Sequence, residues 1–312
     1  MKKYAFLWIL AAGSLWGTMG LFVDMLTSLG FGTLHAAALR ICSAALLYFL
    51  LLLVKDRSLL KIHLRDFGLF FGLGVLSILA LTCFYFLAIR NTSYSVAAIL
   101  LYTAPVMVSV MSAVFFKERF GGKKIVALLC AFVGCILVSG LDFGNGITPL
   151  GIAFGLLSGL AYALYSIFGK IALKKYHPYT VSAYAFIFAA FGSLIVCDIP
   201  GLVSVAGTVP NKGLIVLAGL LSGFVTAFLP FILYTLGLKN TEPGKAAILA
   251  SVEPLVATLC GCFKGQPLTL GSAAGIVCIL GAVVILTVRG KTADARANKP
   301  LSASAKHDGS LK

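Results

Sequence analysis

Charge is what this chain has least of. Lys, Arg, Asp and Glu make up 11% of its 312 residues, and only ten are acidic, against about 25% charged residues in an ordinary soluble domain. That scarcity excludes a water-soluble globule. Histidine is scarce too. His35, His63, His177 and His307 are scattered through separate loops and the tail, so neighbours in sequence assemble no acid–base or metal constellation. There is no Walker A loop or dinucleotide fingerprint either, because the glycine stripes present lack a strand–turn–helix setting. The eight cysteines are not scarce, but all fall within or beside apolar runs. Cys260-x-Cys262 has neither a zinc spacing nor a nearby His, so they read as small buried hydrophobes. No metal and no cofactor is expected.

What the chain has in abundance is hydrocarbon: 60% hydrophobic residues and a mean hydropathy of +1.03. Apolar runs of about 20 residues, enough to cross a bilayer core, recur from end to end. A transmembrane barrel would show short alternating strands instead. The expected fold is an all-α membrane protein with ten spans, near 5–27, 34–54, 67–89, 94–116, 124–141, 150–172, 179–198, 213–236, 245–263 and 269–288.

The net charge of +15 is a topology signal and not a nucleic-acid footprint. The N-terminus, the even-numbered loops and the C-terminal tail hold 21 of the 25 Lys and Arg. The odd-numbered loops hold only Arg90, Lys212 and Lys264, and Arg40 sits inside a span. Positive residues stay cytoplasmic, so both termini are expected in the cytoplasm and the chain in the cell (plasma) membrane. "MKKYAFLWILAAGSLWG" imitates a signal peptide but reads as an uncleaved first span, since removing it would destroy the charge alternation.

Two stretches say nearly the same thing. Tyr85–Pro105 and Tyr234–Pro254 agree at nine of 21 positions, at an offset of 149. "FVGCILVSG" (Phe132–Gly140) matches "ILGAVVILT" (Ile279–Thr287), and "AAGSLWG" (Ala11–Gly17) matches "LLSGLAYA" (Leu156–Ala163) more weakly. Spans 1–5 therefore repeat as spans 6–10, which divides the chain into 1–148, 149–290 and a tail, 291–312, expected to be disordered and cytoplasmic. Because five is odd, the second copy enters from the opposite side. Inverted repeats of this kind supply two exchangeable conformations around a midplane site.

On these residues the chain resembles the drug/metabolite transporter superfamily, in particular its EamA-type members. The likeness rests on "LWG" (Leu15–Gly17), lone Arg40 in span 2 and the Ala-rich span 4 entering "TAPV" (Thr103–Val106). "FKER" (Phe116–Arg119) and "SVEPLVA" (Ser251–Ala257) complete it, and it covers about residues 5–290. Members often carry an acidic residue after span 9 to match Glu118; here that loop reads "FKGQPL". The resemblance implies secondary transport by alternating access, with export of amino acids or related small metabolites, or efflux of a lipophilic drug. The alternatives are an integral membrane enzyme and a structural or channel-like protein.

Candidate site residues follow from what is costly in lipid. An ionised carboxylate at the bilayer centre costs about 2.5–3.5 kcal/mol on insertion scales. Glu253 in span 9 is a candidate for contact with a substrate amine, for proton coupling or for a structural bond. Pro254 beside it, like Pro105 in span 4, is expected to break its helix and to free the carbonyl about four residues earlier. Asp24 is a second coupling candidate, at the outer end of span 1. Arg40 reads either as a side chain snorkelling outward or as a carboxylate ligand, for substrate or for Asp24. Trp16, Tyr85, Tyr102, Tyr162, Tyr165 and Tyr234 are candidate walls for an amphipathic substrate, with packing or interfacial belts as the plainer alternative. "GIAFGLLSG" (Gly151–Gly159) and "FGLFFGLG" (Phe67–Gly74) are glycine stripes for close helix packing, with a dimer face the alternative for the first. The partners expected are a small-molecule substrate and the lipid bilayer, with no nucleic acid; a homo-oligomer is not indicated.

The topology is testable by single-cysteine labelling in a cysteine-free background. Asn145 and Gly207 should react from outside the cell, and Leu60 and Gly121 only after permeabilisation. Reversed labelling would overturn the side assignment and the inverted repeat together.

Overall fold

A computed structural model describes residues 4–119, 121–140 and 148–287; Asn145 and the tail 291–312 lie outside the described residues. The described residues hold ten apolar helical spans: Ala5–Ser28, Thr33–Lys55, Leu64–Asn91, Tyr94–Phe116, Gly122–Ser139, Pro149–Ala172, Pro178–Val196, Lys212–Asn240, Pro243–Phe263 and Leu270–Thr287, numbered here as spans 1 to 10. At 1.5 Å per residue, the two shortest, with 18 residues each, reach about 27 Å, close to the thickness of a hydrocarbon core. The segment between spans 7 and 8, expected as a loop, contains a further helix, Ile199–Thr208. Asp198 caps it by accepting from Gly201 N at 3.1 Å, and Pro200 suits its first turn. "DIPG" reads as a turn for the same reasons that it starts a helix. Ten residues cannot cross a bilayer, and this helix packs Leu202 and Val205 against the Leu26–Phe31 corner instead.

The spans pair as a twofold repeat requires. Span 1 packs on span 8 and span 3 on span 6, which are equivalent contacts, while spans 2 and 7, and 5 and 10, pair with their own counterparts. Glycines set these distances. A Cβ on Gly134 would stand 2.8 Å from Gly275 O, and one on Gly275 would stand 2.7 Å from Gly134 O, so spans 5 and 10 touch backbone to backbone.

Helix breaks obey the same symmetry. Span 4 breaks at Tyr102–Thr103, between Tyr94–Leu101 and Ala104–Phe116; span 9 breaks at Ser251–Val252, between Pro243–Ala250 and Glu253–Phe263. In each, proline occupies the first turn of the second piece, where its missing N–H is harmless. The cost falls on the carbonyl four residues earlier, Leu101 or Ala250. A glycine of the opposite half meets each one: a Cβ on Gly13 would lie 2.7 Å from Ala250 O, and one on Gly159 would lie 3.3 Å from Leu101 O. Spans 3 and 8 also carry matched wide π-helical turns, at Gly72–Leu79 and Phe224–Phe228.

The span 6 stripe packs within the chain. A Cβ on Gly151 would meet Asn91 O at 2.6 Å, and one on Gly155 would meet Leu100 Cδ1 at 2.5 Å. Gly74 of the other stripe sits against Ala185 O of span 7 in the same way, whereas Gly68 has open space around it. Gly155→Leu should therefore drive span 6 off span 4, an overpacking that costs at least about 1–3 kcal/mol. The expected result is a lowered thermal midpoint and loss of monodispersity in detergent; wild-type behaviour in both would mean that the stripe does not face span 4.

Candidate functional site

Between the halves lies a cavity of about 460 Å³, in the size range of small-molecule sites. Spans 1 to 4 line it only with their halves far from the N-terminal face, from Trp16 to Asp24, Thr33 to Arg40, Ser77 to Ile89 and Tyr94 to Pro105. Spans 6, 8 and 9 supply its floor through residues such as Tyr162, Tyr165, Phe231, Tyr234 and Ala250. The cavity thus runs from mid-membrane towards the face opposite the N-terminus.

The floor is aromatic. Trp16 crosses Phe231 at 5.0 Å between ring centres, Tyr234 at 5.3 Å and Tyr162 at 6.3 Å, and Tyr165 stands perpendicular to Phe231 at 5.0 Å. Edge and tilted contacts of this kind suit the ring quadrupoles. Two hydroxyls of the floor are held from behind. Tyr234 Oη pairs with Ser166 Oγ at 2.8 Å, and Tyr165 Oη with Thr235 Oγ1 at 3.0 Å. Tyr85 and Tyr102 belong to the walls.

Glu253 opens the second piece of span 9 and lies in its first turn. There the positive end of the helix dipole favours a carboxylate. The side chain faces the cavity, half-buried, within electrostatic reach of Arg40, Tyr85, Tyr102 and Tyr162. Arg40 does not snorkel. Its Nη1 donates to Thr226 O at 3.3 Å, the carbonyl four residues before Pro230, which has no N–H to offer it. Nor does Arg40 pair with Asp24: the Asp24 carboxylate binds Lys264, at the exposed mouth. No Arg40–Glu253 contact falls within ion-pair distance among the described residues, so the guanidinium and the carboxyl group share one cavity without touching. Pro105 lines the cavity; Pro254 is buried behind it.

Sequence reasoning passed over Phe231, Ser77, Thr82 and Ser222, all of which line the cavity. Pro230 in "AFLPFILY" was the available signal for this turn of span 8. The described residues contain no group of three or more His, Cys, Asp or Glu placed to hold a metal.

The N-terminal face is shut. A Cβ on Gly237 would collide with Ile9 Cγ1 at 2.4 Å, which places span 8 hard against span 1. Lys124 Nζ bonds Glu118 Oε2 at 2.5 Å, with both side chains about 5% exposed, and lies 3.9 Å from Glu242 Oε2. Further out, Asp66 accepts from Lys175 Nζ and Tyr176 Oη, both at 2.7 Å, and the hydrogen bond to Asp66 holds the Lys175 ammonium above its usual pKa. Thr180 and Tyr184 donate to the carbonyls of Leu59 and Leu60 at 2.9 and 2.6 Å.

These two halves are each recognisable by sequence comparison. The EamA-like transporter family matches residues 3–140 and again 149–288. A protein of Archaeoglobus fulgidus named as an uncharacterized transporter is 33% identical over 287 residues, covering 89% of this chain and 94% of its own. A second from that organism is 29% identical, covering 81% and 88%, and the uncharacterized transporter YwfM of Bacillus subtilis is 26% identical, covering 93% and 96%. A solved crystal structure superposes with a TM-score of 0.76 at 18% identity, over 92% of this chain and 98% of that one, a likeness of fold. With the family matched over both five-span halves, the chain belongs to the EamA-like transporter family.

Proposed function

We propose that this transporter carries a small organic metabolite bearing both an amine and a carboxylate, of the amino-acid class, and exports it across the plasma membrane by alternating access. The observation that carries this reading is the one-sided cavity in which a cation, Arg40, and an anion, Glu253, face a common space above an aromatic floor. A zwitterion offers each charge its opposite. Opposite charges that do not neutralise each other within the protein remain available to a ligand. The aromatic floor suits the apolar part of such a molecule. The lysine-rich N-terminal face is taken as cytoplasmic, so the cavity as it stands faces outward.

Glu253 is assigned the coupling role. Ala104 holds the matched place in span 4 and packs without any acid, so the scaffold does not need a carboxylate there. Glu253→Gln keeps the volume and hydrogen-bonding capacity while removing the charge. Gradient-driven uptake into proteoliposomes should fall to background while the protein stays monodisperse. Full pH-gradient-dependent transport by a well-folded variant would remove Glu253 from the mechanism.

Arg40 is assigned two tasks, and they separate experimentally. Arg40→Leu should lower the thermal midpoint, since Thr226 O loses a buried partner, worth about 1–3 kcal/mol. Arg40→Lys should recover stability but not transport, because an ammonium has no planar fork for a carboxylate. Full flux in the Lys variant would contradict a guanidinium-specific contact.

A further inference from the structure

The face that is shut differs chemically from its counterpart. Glu118 and Lys124 of the first half form a buried ion pair, and Glu242 closes in from the second half. Aligning "FKER" with "FKGQ" puts Gly265 at the place of Glu118 and Gly271 at that of Lys124, and Ser93 matches Glu242. The repeat therefore supplies an ionic closure on one face and no equivalent on the other. Asp24–Lys264 at the open mouth is solvent-exposed, and exposed pairs hold little.

A second observation comes from beneath the ion pair. Ser109 and Ser112, on the inner piece of span 4, are fully buried, and neither hydroxyl has a hydrogen-bond partner among the described residues. A Cβ on Gly244 of span 9 would stand 2.6 Å from Lys124 Nζ and 3.0 Å from Ser109 Oγ, so ammonium, hydroxyl and the start of span 9 meet at one point. Buried hydroxyls without partners are costly. Their cost is relieved when span 9 swings away from span 4 and water reaches them. Tight closure and stored polar strain lie along the same seam.

We propose that the Glu118–Lys124 pair with Glu242 is the gate of a second access route, between spans 4, 5 and 9 on the N-terminal face, with Ser109 and Ser112 lining that route once it opens. Because, among the described residues, this face alone has a buried ionic closure, the gate biases the resting transporter towards the state whose cavity opens on the opposite side. The proposal uses the transport reading to say what the route is for. The gate itself is read out without substrate or flux, so the failure of one does not mimic the failure of the other.

The test is thiol accessibility in the full-length chain, in a cysteine-free background. Ser109→Cys should react slowly with a reagent applied from the N-terminal face, and Ala257→Cys, in the open cavity, quickly from the other. Adding Glu118→Gln with Lys124→Met removes the pair without leaving a lone buried charge. Position 109 should then react about tenfold faster and position 257 correspondingly more slowly, a population shift from one state to the other. An unchanged rate at 109 in a monodisperse protein overturns the gate. Faster reaction at both positions also overturns it, since that is general loosening. If the double variant does not fold, Glu242→Gln decides on an exposed side chain: about a twofold rise at 109 with a fall at 257 is expected, and no change refutes the proposal.

Discussion

A backbone carbonyl in hydrocarbon has no water to turn to, and this constraint arranges most of what is distinctive here. Three prolines, Pro105, Pro230 and Pro254, each deprive a carbonyl of its helical donor. The three carbonyls meet the other half of the molecule: Leu101 faces Gly159, Ala250 faces Gly13, and Thr226 receives Arg40. Each interruption is thus a point where one half is held to the other, and the cavity lies among them. Span 9 could not present Glu253 at a helix N-terminus inside the membrane without the break that Pro254 makes.

Symmetry explains the scaffold, and its failures locate the chemistry. Breaks, wide turns and glycine contacts recur at matched positions, as two inverted copies need for two conformations of similar energy. Glu253 stands against Ala104, and the Glu118–Lys124 pair against Gly265 and Gly271. A strictly symmetric protein would have no preferred face and no net charge arrangement inside. The unpaired features supply both.

Much of this was legible in the sequence, for a physical reason. Spans are long, contiguous and chemically extreme, so apolar length and lysine placement give their number and approximate bounds. The 149-residue offset revealed the repeat, and intramembrane charge drew attention to Glu253 and Arg40. Partners were not legible. Asp24 and Lys264 are 240 positions apart, and nothing local distinguishes that pairing from one with Arg40. Thr226 as the acceptor for Arg40 required knowing that spans 2 and 8 touch. The helix Ile199–Thr208 was hidden because its Asp-Ile-Pro-Gly start is turn chemistry and its length falls below that of a span. The wide turns in spans 3 and 8 left no mark in apolar periodicity.

The central claim is that the two halves exchange conformations, so that one face opens as the other closes. Pulsed electron–electron distance measurements in lipid nanodiscs address this most directly, with one spin-label pair at Tyr94 and Leu268 and another at Leu60 and Lys239. Across an acidic-to-neutral pH series, the account predicts two distance populations on each face, with the long one growing on one side as it shrinks on the other. A single unchanging distance on both faces, or populations that lengthen together, would contradict it.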